Sequence, residues 1–242
     1  MTMDVLEIRD FTKSYGGGEP TVENLSLTVR AGDIFGFIGH NGAGKSTTIR
    51  SIVGVQEFEG GDIFVCGRSV RTESLEARRC LAYIPDNPDL YEHLTGEQYL
   101  NFIADVFSLT AEERRERIAL YTGKFEITDA LGSLISSYSH GMKQKLALCS
   151  ALIHEPKLMV LDEPFVGLDP KAALTLKNCM HELCEKGGAV FFSTHVLDVA
   201  EKLCNRIAII KKGRLVAQGD TETLVGDSTL EDVFMEVIDH DR

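Results

Sequence analysis

Eight consecutive residues, Gly39-His40-Asn41-Gly42-Ala43-Gly44-Lys45-Ser46, constrain this chain more than any other stretch. They fit the spacing G-x-x-x-x-G-K-[ST], a loop that wraps its backbone around a phosphate chain. Glycine allows the tight turn and the inward-facing N–H groups that a side-chain-bearing backbone resists. Lys45 is placed to reach β- and γ-phosphates and the Ser46 hydroxyl to hold Mg²⁺, with Thr47 beside them. The flanks agree. Asp33 to Ile38 is predicted to be a buried strand, and Lys45 to Val53 a helix whose positive N-terminal end faces the anion. A surface turn could carry the same letters, but not this strand–loop–helix setting. The stretch predicts binding of a nucleoside triphosphate.

The pattern around the loop predicts an α/β fold. Val5 to Phe11 and Leu25 to Arg30 alternate as antiparallel strands do. Asp62 to Cys66 and Leu81 to Ile84 read as further strands. From Asn87 to Glu155 the pattern turns helical. Thr95 with Gln98, and Thr110 with Glu113, form capping boxes. Tyr99, Phe102, Ile103, Val106 and Phe107 form an apolar face expected to pack into the core. From Lys157 strands and helices alternate again. Leu158 to Leu161 and Ala189 to Ser193 are apolar runs suited to strands buried on both faces. Asp169-Pro170 opens a helix expected to reach Lys186. Arg206 to Ile210 and Leu215 to Ala217 flank a turn at Lys212-Gly213. Ser228 with Glu231 is expected to cap a last helix whose Leu230, Val233, Phe234, Val237 and Ile238 share a face. The expected architecture is one domain with a mostly parallel sheet, an N-terminal antiparallel β-subdomain and an inserted helical subdomain. Residues 1–86 and 156–225 would form the nucleotide-binding core, 87–155 the helical insertion and 226–242 a C-terminal helical tail.

A chain of 242 residues can bury a large core. A net charge of −12 argues against a phosphate-backbone surface, so no nucleic-acid partner is expected. No apolar run approaches the ~18 residues of a membrane span, and the N-terminus lacks signal-peptide features, so no direct membrane insertion is expected. The six cysteines form no C-x-x-C pair and read as buried thiols of a reducing compartment.

Asp162 and Glu163 follow the apolar run at Leu158. A carboxylate at the end of such a strand can hold Mg²⁺, and its neighbour can polarise an attacking water. With Leu158 to Pro164, Gly167-Leu168-Asp169, Tyr138 to Lys145 and Ser193-Thr194-His195 in this order, the chain resembles the ATP-binding subunit of an ABC transporter over nearly its whole length. The resemblance implies a phosphate-loop NTPase core and an ATP hydrolase using ATP and Mg²⁺. Gly39, His40, Asn41, Gly42, Ala43, Gly44, Lys45, Ser46 and Thr47 would bind the nucleotide. Tyr15 would stack on the adenine, or else merely end its strand half-buried. Lys45, Glu163 and His195 would be catalytic, and Ser46, Asp86 and Asp162 would meet the metal. Ser139, His140, Gly141 and Met142 form the signature segment, which would touch ATP held by a second subunit; without the family context Ser139 reads as an ordinary N-cap.

Three places depart from the family pattern. Asp86 stands where Gln is usual, and His140 and Met142 replace Gly and Gln. The resemblance further implies a homodimer and a separate membrane permease, holding the chain on the inner, cytoplasmic face of the cell membrane. Leu90, Tyr91 and Leu94 would meet that permease or else pack in the core. Leu230-Glu231-Asp232-Val233-Phe234 is similar to the tails of exporter-type ATPases. A permease-free ABC ATPase of cofactor assembly or scaffold regulation is the alternative.

Overall fold

A computed structural model describes residues 4–16 and 18–239. β1 (Asp4–Ser14) pairs antiparallel with β2 (Pro20–Arg30) and leads to β3 (Ile34–Ile38) and α1 (Lys45–Ile52). The chain continues through β4 (Gly60–Val65), β5 (Arg68–Ser69), α2 (Ser74–Arg79) and β6 (Leu81–Ile84). Between β6 and β7 (Leu158–Asp162) come α3 (Gly96–Val106), α4 (Ala111–Lys124) and α5 (His140–Leu152), with two short 3₁₀ turns. Then follow α6 (Pro170–Glu185), β8 (Ala189–Thr194), α7 (Leu197–Leu203), β9 (Arg206–Lys211), β10 (Arg214–Asp220), α8 (Thr221–Val225) and α9 (Leu230–Asp239).

Two sheets result. An antiparallel one runs β2-β1-β4-β5, and a six-stranded one runs β10-β9-β3-β8-β7-β6. The second is parallel except for the β9–β10 hairpin. Its central strands are buried throughout and mostly apolar because each feeds two cores, with Asp162, Ser193 and Thr194 only at their C-terminal ends. On β3, Ile34 and Ile38 face the helices, while Phe35 and Phe37 face the antiparallel sheet. On β8, Val190 and Phe192 take the first side and Phe191 the second. The period of two is thus present, but both faces are buried. On the antiparallel-sheet side, Phe191 packs against Phe35 and Phe37, with ring centroids 5.8 and 5.4 Å away.

Both expected capping boxes form, at Thr95 with Gln98 and at Thr110 with Glu113. Asp169 caps α6 through Ala172 N at 2.8 Å, and Pro170 follows it. Two expectations shift. Phe102 and Val106 are 43 % and 59 % exposed, so the apolar face of α3 is not wholly core. Gly96, Leu100 and Ala104 line its buried side, and the two outliers stand roughly half a turn around the helix from them. The last helix is capped one residue later than expected. Thr229 Oγ1 accepts from Asp232 N at 3.2 Å, and Asp232 Oδ2 accepts from Thr229 N at 3.1 Å. Ser228 is already committed, its hydroxyl donating to Val225 O at 2.7 Å. Leu230 and Phe234 are buried, whereas the Ile238 side chain lies outside the described residues. Among the described residues no helix is long and apolar enough to cross a membrane.

Candidate functional site

Strand register assembles the site. Ile38 pairs with Thr194 across β3 and β8, and Asp162 pairs with Ser193 across β7 and β8. The residues that follow these strands therefore emerge at one edge of the sheet: Gly39, Glu163 and His195. Parallel strands gather loops at their C-terminal ends, where ligands bind in open α/β sheets.

The phosphate loop is tightly seated. At Gly39 an added Cβ would stand 2.5 Å from Ile210 O, a backbone atom that cannot yield. Gly44 caps α1 with φ 110°, in the left-handed region, and a Cβ there would meet Val22 at 2.8 Å. Both conditions select glycine. The Lys45 ammonium is buried and must be satisfied. It donates to Gly39 O at 2.6 Å and His40 O at 3.3 Å, with Glu163 Oε1 at 3.7 Å. His195 Nδ1 lies 3.0 Å from the same Glu163 oxygen. Lys45 and His195 thus converge on one buried carboxylate oxygen. Glu163 itself has φ 49°, unusual for a non-glycine residue, and its N–H donates to Ser193 O at 3.2 Å.

A cavity of about 410 Å³ opens over the loop. It is lined by His40, Asn41, Gly42, Gly44, Lys45, Ser46 and Thr47 of the loop together with Thr21, Asp86, Asp162 and Glu163. Ala43 lies buried beneath it and accepts from Gly213 N at 2.9 Å. Ser193 Oγ donates to Asp162 Oδ1 at 2.5 Å, which fixes that carboxylate and leaves its other oxygen available. The Ser46 hydroxyl and the Asp86 and Asp162 carboxylates on one cavity suit a hard divalent cation such as Mg²⁺. Among the described residues no three His, Cys, Asp or Glu side chains form a cation cage, so the triphosphate would have to share in holding the ion.

Tyr15 stands at the margin, 51 % exposed. Gln56 Nε2 donates to its hydroxyl at 2.5 Å, and the Thr47 hydroxyl lies 3.5 Å from it. Lys13 sits 5.3 Å from the ring centroid. The tyrosine follows the last residue of β1, about half exposed, with its hydroxyl near the loop, an arrangement compatible with both readings of it.

The signature segment lies elsewhere. Ser139 is the N-cap of α5, its Oγ accepting from Met142 N at 3.3 Å, and none of Ser139, His140, Gly141 and Met142 lines the cavity. A Cβ on Gly141 would meet only Gly167 O, at 3.6 Å, so backbone there is approachable. His140 borders a second groove with Asn87, Asp89, Glu92 and Lys143. Leu90 is core, Leu94 is partly buried against that core, and Tyr91 is exposed beside Phe102, with centroids 5.7 Å apart.

Sequence reasoning missed Thr21 and the support that Ser193 gives Asp162. Thr21 comes from the other sheet, 18 residues before Gly39, and carries no motif. Ser193 could have been found, because a polar residue in an otherwise apolar strand next to a carboxylate strand is a signal in itself.

Fold and cavity together define a phosphate-loop nucleotide-binding ATPase. A family model described as ABC transporter matches residues 22–166. The ABC transporter ATP-binding protein YhcH of Bacillus subtilis (strain 168) is 38 % identical over 213 residues, covering 88 % of this chain and 68 % of that protein. The ABC-type transporter ATP-binding protein EcsA of the same organism is 35 % identical, covering 99 % of this chain and 98 % of that one. A solved ATP-binding subunit of an ABC transporter superposes with a TM-score of 0.93 at 35 % identity, covering 97 % of this chain and 99 % of that one. The chain belongs to the ABC transporter family. It is an ATP-binding subunit, with ATP hydrolysis coupled to transport as its activity.

Proposed function

We propose that two copies of this chain close around two MgATP molecules and so drive a separate membrane permease in export. The observation that carries this reading is the separation within one chain of the phosphate cradle from the Ser139–Met142 segment. The free N–H groups at the start of α5 suit a γ-phosphate, yet they do not reach their own cavity. A second copy supplies them. The cradle of one subunit holds the phosphates through backbone amides and Lys45, and Tyr15 offers its ring to the adenine. Ser46, Asp162 and Asp86 would hold Mg²⁺, which would supply charge neutralisation for the phosphates. Glu163 polarises the attacking water, and His195, beside the same oxygen, holds the γ-phosphate. Binding closes the pair and hydrolysis reopens it.

Residues 87–155 would move as the helical subdomain in that cycle. Tyr91, Phe102 and Val106 are exposed on it and offer an apolar surface for the permease, which would hold the chain peripherally at the membrane. The Leu230–Phe234 stretch supports export. Glu163→Gln tests the chemistry: MgATP binding should persist while turnover falls ~10²–10⁴-fold. Undiminished turnover in that variant removes Glu163 from the role. Purification from detergent-solubilised membranes should recover a multi-helix partner, and purely soluble partners would contradict the transport assignment.

A further inference from the structure

The last helix touches the phosphate loop through one aromatic pair. α9 runs beside α7 and α8, and Phe234 on it is 6 % exposed. Its ring lies 5.0 Å from the His40 imidazole at 68°, an edge-to-face arrangement. His40 is the second residue of the loop. Its carbonyl accepts from Ala43 N at 3.1 Å and from Lys45 Nζ at 3.3 Å, so its backbone belongs to the inner wiring of the cradle. The loop motif leaves this position free, and phosphate contact does not dictate a histidine there. The aromatic partner does account for one.

The helix is well anchored for such a task. Glu201 Oε2 accepts from Leu230 N at 2.7 Å, and Lys211, the last residue of β9, donates to Val237 O at 3.5 Å. The β9–β10 turn holds the loop independently, through the bond from Gly213 N to Ala43 O. We propose that Phe234 is a positioning residue for the phosphate loop, acting through His40, so that the seating of α9 sets the loop's affinity for nucleoside triphosphate. The proposal rests on the reading of this loop as the nucleotide site. Linkage then runs both ways: nucleotide tightens α9, and whatever lifts α9 weakens nucleotide binding.

The test uses the full chain and MgATP. Phe234→Leu keeps apolar volume but removes the ring. It should raise the MgATP dissociation constant about 2–10-fold, the worth of an aromatic pair, with kcat changed by less than about twofold. His40→Ala should give a similar rise, and Phe234→Leu should add nothing further in the His40→Ala background. In the wild-type chain MgATP should slow amide exchange across residues 230–239, and in His40→Ala it should not. That exchange comparison stands even if Phe234→Leu folds poorly. An unchanged dissociation constant in a folded Phe234→Leu, an equal rise in both backgrounds, or exchange indifferent to nucleotide would each overturn the proposal. Failure of the wild-type chain to bind MgATP would instead reject the nucleotide reading beneath it.

Discussion

Ser193 is buried in β8, and its hydroxyl donates to Asp162, a carboxylate that would meet the metal. Support of this kind orients a ligand and commonly matters about tenfold or more in metal affinity. Ser193→Ala should therefore leave the fold intact and raise the Mg²⁺ concentration for half-maximal ATPase activity about tenfold. A magnesium titration checks this, and an unshifted midpoint would show that Asp162 is held without it. Gly39 behaves differently, because its constraint is steric and not chemical. Gly39→Ala sets a methyl 2.5 Å from a carbonyl oxygen of β9, so the loop or the strand must move. The expected cost is roughly 1–3 kcal/mol, together with weaker nucleotide binding. A thermal melt and a binding titration equal to the parent's would contradict that account.

Helices and strands were mostly legible where local chemistry settles their ends. The capping boxes at Thr95 and Thr110, the Asp169-Pro170 start and the β9–β10 turn form at the expected residues, because each depends on contacts within a few positions. The cap of the last helix is the exception, falling on Thr229 because the Ser228 hydroxyl is taken by Val225 O. The outer side of α3 was not legible. Which apolar residues of an amphipathic helix face inward depends on what packs against it, and Phe102 pairs with Tyr91 at the surface. The strand–loop–helix at Gly39 was read whole, whereas Thr21 and Phe234 reach the site from distant parts of the chain. His154, just past α5, is likewise a tertiary feature. It packs 3.7 Å from the Phe107 ring centroid with Nδ1 unpartnered, and burial, aided by Arg117, pulls its imidazole down to about 4. An unfolded histidine titrates near 6.5, so the unfolded chain takes up a proton that the folded one refuses. The contribution of His154 to stability should fall as pH drops from about 6.5 to 4, by about 3 kcal/mol at most, and change no further below. His154→Leu should flatten denaturation midpoints across that window, and an unaltered slope would place the acid sensitivity elsewhere.

At the scale of the molecule, two cores share one sheet, and the sheet's edge gathers the cradle, the paired acids and His195. The helical segment between β6 and β7 carries its own phosphate-suited end, at Ser139, away from that gathering. Lys143 ties α5 to Glu92 in the loop ahead of α3, and Lys145 pairs with Asp169 at 2.7 Å. On the proposed reading, a second copy turned to face the first would bring α5 to the triphosphate. The most direct measurement is the solution mass of the Glu163→Gln protein by light scattering, with and without saturating MgATP. It should change from that of one 26.7 kDa chain to that of two when nucleotide is added, and Ser139→Arg should prevent the change. A chain that binds MgATP fully and keeps the mass of one copy would contradict the shared pocket.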